Sequence, residues 1–143
     1  MNANILITGG AGYIGAHVNK CLSERGHKTL VLDNLIRGHR SSVKWGEFVE
    51  GNIGDPDLLD RIFYNNSIVS VIHLAAYAYV GESVLEPFKY WKNNVVETIK
   101  LMEKCAENKV KRFILSSTCS TYGDPQNIPI QETHEQRPIN PYG

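Results

Sequence analysis

Ile5-Leu6-Ile7-Thr8-Gly9-Gly10-Ala11-Gly12-Tyr13-Ile14-Gly15 is the stretch that decides the fold. Three consecutive aliphatic residues read as a strand buried on both faces, and they run straight into a glycine turn. Beyond the turn, Ile14, Val18, Cys21 and Leu22 recur at helical spacing and Gly26 stands where a C-cap glycine belongs, so a helix is expected over 11–25. Residues 10–15 match G-x-G-x-x-G, with a further glycine in front at Gly9. Such glycines serve a tight turn, a backbone that must approach a diphosphate, and a helix that packs close on its strand, while the helix N-terminus offers free N–H groups to the anion. A merely flexible turn is also rich in glycine, and context separates the two readings. Asp33 follows Gly15 by 18 residues, at the end of the next aliphatic run, where a carboxylate accepts hydrogen bonds from an adenosine ribose. Its charge repels a ribose 2′-phosphate, which favours NAD over NADP. Arg37 and Arg40, close by in sequence, weigh against that preference.

Further along, Thr29 to Leu32 is a second strand closed by Asp33, and Phe48 to Glu50 a weaker third. Asp55-Pro56 supplies an N-cap and a proline at the first helical position, followed by Leu58, Leu59, Ile62 and Phe63 as the buried stripe. Val69 to Leu74 is a fourth strand, Pro87 to Asn108 a long helix, and Arg112 to Leu115 a fifth strand. Strands separated by helical crossovers pair in parallel, with right-handed connections. The expected fold is therefore α/β, a doubly wound parallel sheet of Rossmann type. After Ser116 the periodicity fails and four prolines follow, Pro125, Pro129, Pro138 and Pro141. The chain thus divides into a dinucleotide-binding domain over 1–117 and an active-site loop segment over 118–143, a stretch whose length and composition also suit disorder. The hydroxyls of Ser116 to Thr121 lie beyond the carboxyl end of the fifth strand, where open α/β sheets bind ligands, although hydroxyls there equally form turns. Spacing alone gives Tyr142 no role.

With 143 residues there is room for one core. Fifteen Lys and Arg offset fifteen Asp and Glu, so neither nucleic acid nor an anionic membrane surface is an expected partner. No apolar run reaches the roughly 18 residues of a bilayer span, and the first residues carry no secretory signature, so a cytoplasmic location is expected. Cys21, Cys105 and Cys119 are far apart and read as reduced thiols, and the five histidines never adopt a metal-ligand spacing, so no metal is expected. His73, inside an aliphatic strand, reads as a satisfied core residue. A Gly-x-Ser-x-Gly elbow, a phosphate-loop lysine and an H-E-x-x-H pair are all missing, which leaves hydrolase and kinase chemistry unsupported.

Thr8 to Gly15, Asp33-Asn34-Leu35, His73-Leu74-Ala75-Ala76, Val80-Gly81-Glu82-Ser83-Val84, Asn93-Asn94-Val95, Ser116 to Gly123 and Pro138 to Gly143 together resemble the amino-terminal part of the UDP-glucose 4-epimerases, within the extended short-chain dehydrogenase/reductase family. The likeness covers the whole chain. It implies NAD-dependent 4-epimerisation of a UDP-sugar, UDP-glucose and UDP-galactose, through a 4-keto sugar. Tyr13 and Ile14 would lie on the pyrophosphate, Asp33 and Asn34 on the adenosine ribose, and Asn52 and Ile53 beside the adenine. Leu74, Ala75 and Ala76 would line the channel to the nicotinamide with Asn93 near it, while Thr118 and Tyr142 face the sugar as catalytic residues. Asn52 stands where relatives often carry aspartate, and Ala78 where they carry a cofactor-contacting lysine. Rival readings are a UDP-xylose/UDP-arabinose 4-epimerase, a nucleotide-sugar dehydratase, and a non-catalytic NAD-binding module.

In this family the tyrosine begins a Tyr-x-x-x-Lys signature, whose lysine would fall three residues after Gly143. A tyrosine, with an ordinary pKa of about 10, acts as a base near neutrality only beside positive charge. The resemblance therefore implies a chain that carries the cofactor half, with the sheet incomplete at its carboxy-terminal side and the sugar-nucleotide domain of the homodimeric enzyme absent. The expectation is an inactive chain whose last strand has an unpaired edge, prone to self-association or followed by a disordered tail.

Overall fold

A computed structural model describes residues 4–143. Five strands, β1 (Ile5–Thr8), β2 (Thr29–Asp33), β3 (Glu47–Glu50), β4 (Ser70–His73) and β5 (Arg112–Leu115), form one sheet in the order β3-β2-β1-β4-β5. Every pair is parallel, with Ile5 opposite both Thr29 and Ser70. The order reverses between β1 and β4, and it is outside the carboxyl ends at such a switch point that open α/β sheets bind ligands.

Side-chain alternation sends the central strands' residues to opposite faces, and each face has its own core. Leu6, Leu30, Leu32 and Val71 pack with Leu58, Leu59, Ile62 and Phe63 of α2 (Pro56–Asn65) and with Leu101 and Cys105 of the helix ahead of β5. Ile5, Ile7 and Val31 pack on the other face against Val18 and Leu22 of α1 (Tyr13–Glu24). Helices on both faces explain why β1 and β2 are buried at every position. The ends follow local chemistry: Gly26 takes φ +83 just after Arg25 closes α1, and Asp55 Oδ1 accepts from Leu58 N at 3.1 Å to cap α2.

Two helical features depart from the sequence reading. A short helix, α3 (Val80–Leu85), occupies a stretch between the fourth strand and the long helix to which the sequence reading assigned no element, and six residues are too few to display a period. The helix expected over 87–108 is continuous, but α4 (Pro87–Tyr90) and α5 (Glu97–Glu107) are joined by a π-helical segment, Trp91–Val96. The widened turn contains Asn93 and Asn94, two poor helix formers.

Beyond β5 the chain makes one 3-10 turn, Cys119–Tyr122, and otherwise runs without regular structure to Gly143. Among the described residues no helix is long and apolar enough to cross a membrane, no cluster of three potential metal ligands occurs, and no buried side-chain nitrogen or oxygen lacks a partner.

Candidate functional site

A cleft of about 640 Å³ lies at the carboxyl ends of β1, β2 and β4. Its floor is the glycine turn. Gly9 has φ +70, and a Cβ there would stand 2.7 Å from Ala75 N, so only glycine lets the ends of β1 and β4 approach this closely. A Cβ on Gly15 would stand 2.3 Å from Gly9 O, which seats α1 directly on the turn. Gly12 is different: its Cβ would meet nothing nearer than Gly9 O at 3.3 Å, and the residue lines the cleft. As N-cap of α1 it has no side chain to offer, and the first turn contains no acidic residue. The N–H groups and positive potential of that helix end are thus left for an external anion. Tyr13 and Ile14, expected on the pyrophosphate, open α1 as exposed residues outside the cleft's lining.

Asp33 ends β2 beside this turn. Oδ2 accepts from Ala11 N at 3.0 Å and Oδ1 from Leu35 N at 2.9 Å, so a buried carboxylate ties the glycine turn to the loop after β2. A carboxylate has about four lone-pair sites, and two remain for a ligand. Asn34 repeats the local bond, Oδ1 accepting from Ile36 N at 3.1 Å, and its Nδ2 donates to Asn52 Oδ1 at 2.8 Å across the ends of β2 and β3. Ile53 follows in the same wall.

Leu74, Ala75 and Ala76 form the opposite wall, together with Tyr77 and the side of the π-helical segment that presents Asn93. Asn93 Nδ2 donates to Asn94 Oδ1 at 2.9 Å. Asn94 in turn accepts from Tyr77 N at 2.9 Å and donates to Tyr77 O at 2.8 Å, holding residue 77 as a neighbouring strand would. Tyr77 and Lys89 line the cleft and Asn94 holds Tyr77, functions the sequence reading did not give them, while Arg37, weighed there for cofactor preference, also lines the cleft; the signal available for Asn94 was an Asn-Asn pair in the middle of a helix.

Thr118 and Tyr142 stand outside the cleft's lining. Thr118 Oγ1 accepts from Ser120 N at 3.1 Å and caps the 3-10 turn, the turn-forming use weighed for these hydroxyls. Tyr142 N donates to Ser83 Oγ of α3 at 3.3 Å, and its ring meets the buried Tyr90 edge-on, centroids 6.2 Å apart. Gly143 lies so close to Ser120 that a Cβ would come within 2.4 Å of its carbonyl oxygen, which brings the two segments together.

Glu82 stands at the centre of the charges. It accepts from Lys89 Nζ and Tyr90 Oη, each at 2.7 Å, and from Arg37. Hydrogen bonds from Lys89 and Tyr90 hold its carboxyl below the usual carboxylate range, and the same bond raises Lys89. Arg37 also lies over the Tyr79 ring at 4.6 Å. Arg40 lies over Phe48 at 4.5 Å and donates to Val43 O.

The sequence profile of the NAD dependent epimerase/dehydratase family matches residues 5–143. A UDP-glucose 4-epimerase of Halalkalibacterium halodurans is 50% identical over 139 residues, covering 97% of this chain and 42% of the relative. A probable UDP-arabinose 4-epimerase of Arabidopsis thaliana is 43% identical, covering 98% and 36% respectively. Among solved structures, UDP-glucose 4-epimerase from Brucella ovis in complex with NAD superposes with a TM-score of 0.94 at 48% identity, over 98% of this chain and 43% of that one. The chain thus spans well under half the length of these relatives.

Proposed function

Since the chain belongs to the NAD-dependent epimerase/dehydratase family, we propose that its cleft binds NAD and forms the cofactor half of a UDP-sugar 4-epimerase. The observation that carries the reading is Asp33, whose carboxylate is bonded to Ala11 N beside an uncapped helix N-terminus. A diphosphate suits the N–H groups opening α1, and the adenosine ribose suits the two lone pairs Asp33 retains. Asn34 and Asn52, joined to each other, border the adenine side with Ile53, while Leu74, Ala75, Ala76 and Asn93 border the nicotinamide. NAD is favoured over NADP because Asp33 is anionic and both nearby arginines are engaged elsewhere, Arg37 with Glu82 and Arg40 with Phe48 and Val43.

When bound, the nicotinamide would accept a hydride from the sugar C4 and return it to the opposite face. For that chemistry Tyr142 is the proposed proton acceptor for the sugar 4-hydroxyl, positioned through Ser83 and Tyr90, and Thr118 the proposed hydrogen-bond partner of the 4-oxygen. The 1–117 and 118–143 segments are proposed as cofactor domain and active-site segment of a cytoplasmic homodimer. The identity to a plant UDP-arabinose 4-epimerase supports pentose substrates as the second reading, and assaying a full-length version on UDP-glucose and UDP-xylose side by side distinguishes the two.

Calorimetric titration of the chain with NAD⁺, NADP⁺ and UDP-glucose tests the proposal. NAD⁺ is expected to bind more tightly than NADP⁺, and Asp33→Asn to weaken NAD⁺ by about tenfold or more, the scale of one charge-assisted hydrogen bond. Equal affinities for the two dinucleotides, or an Asp33→Asn variant that binds as wild type does, would refute it.

A further inference from the structure

β2 and β4 flank β1 in the sheet, so the loop after β2 and the helix α3 that follows β4 stand on opposite sides of the glycine turn. Neighbouring strands lie about 4.8 Å apart, which puts these two supports roughly 10 Å from each other. One ion pair crosses that interval. Arg37 Nη2 reaches Glu82 Oε1 at 3.1 Å and Oε2 at 3.2 Å, joining residues 45 positions apart in sequence. Arg37 itself lines the cleft, as do Lys89 and Tyr77 on the far side.

The two halves of the pair are held unequally. Glu82 is fixed on its own side by the shorter bonds from Lys89 and from the buried Tyr90, whose hydroxyl also lies 2.8 Å from Tyr79 O and accepts from Tyr79 N at 3.0 Å. Arg37 sits on a loop with its side chain 48% exposed, against 21% for Glu82. Detaching Arg37 leaves Glu82 still paired with Lys89, so opening strands no unpaired buried charge, and a half-exposed pair of this kind is weak enough to break and re-form readily.

We infer that Arg37 and Glu82 form a clasp over the dinucleotide cleft, Glu82 the fixed post and Arg37 the hook that opens to admit the cofactor and closes to slow its release. The clasp rests on the NAD reading above and adds to it a kinetic function for two residues outside the glycine motif.

Release of NADH chased with excess NAD⁺, followed by the fluorescence of bound NADH in a stopped-flow instrument, tests the clasp in the full 143-residue chain. Arg37→Ala and Glu82→Gln are each expected to release NADH about fivefold faster, and the double variant no faster than either, because both remove one interaction. Arg37→Lys, which keeps the cation, should recover much of the slow release. Release within about 1.5-fold of wild type in both single variants would overturn the clasp, as would a double variant showing the product of the two effects. Wild-type chain that binds neither NADH nor NAD⁺ would overturn the cofactor reading and the clasp together, whereas binding with unchanged release overturns the clasp alone.

Discussion

His73 closes β4 inside the fold, with Thr8 Oγ1 2.6 Å from Nδ1 and Thr98 Oγ1 2.9 Å from Nε2. Two hydroxyls, each able to donate or accept, satisfy a neutral imidazole in either tautomer. Burial pushes the residue down from its ordinary 6.5 to about 4, so between these values the unfolded chain binds a proton that the folded chain does not. The contribution of His73 to stability is therefore complete above about pH 6.5 and is lost as pH falls toward 4, by on the order of 3 kcal/mol across the window. Urea unfolding at pH 7.5 and pH 5 should show the midpoint dropping on acidification, with a smaller drop in His73→Gln; equal drops in the two proteins would disprove the assignment. The core role of His73 was legible from one strand's composition. Its partners were not, because Thr8 and Thr98 lie 65 and 25 residues away.

At the scale of elements, the β1, glycine turn and α1 unit contains two glycines with opposite duties. Gly15→Ala would drive a Cβ to 2.3 Å from Gly9 O and 2.6 Å from Gly10 Cα, both backbone atoms, and should cost about 2 kcal/mol or more in urea unfolding. Gly12→Ala meets a single backbone atom at 3.3 Å and should leave stability within about 0.5 kcal/mol of wild type. Because Gly12 faces the cleft, the same change should still reduce NAD⁺ affinity at least tenfold in calorimetry. Wild-type affinity in Gly12→Ala would mean that the diphosphate rests elsewhere. Each glycine's need could be anticipated from spacing, since strand, turn and helix follow one another directly. The π-helical widening at Trp91–Val96 could not, because a window of apolar residues reports a helical face and not whether one turn is enlarged.

Across the whole molecule the sheet ends at β3 on one side and at β5 on the other, and among the described residues β5 pairs with β4 alone. Ile114 and Leu115 are 54% and 57% exposed there, an apolar edge of the kind that recruits another strand. Sedimentation velocity should show concentration-dependent self-association that Ile114→Lys reduces, and a wild-type chain that stays monomeric as concentration rises would exclude it. The sequence alone determined the parallel α/β class, the succession of strands and helices, and the coupling of the glycine turn to Asp33, because each rests on periodicity or spacing within some thirty residues. Tertiary structure alone decided the strand order, the place of Tyr77 in the second wall and its bonds to Asn94, the engagement of Arg37 by Glu82, and the seating of Tyr142 on Ser83 at a separation of 59 residues. Hydrophobic pattern states which face of a segment is buried, and leaves open which distant segment buries it.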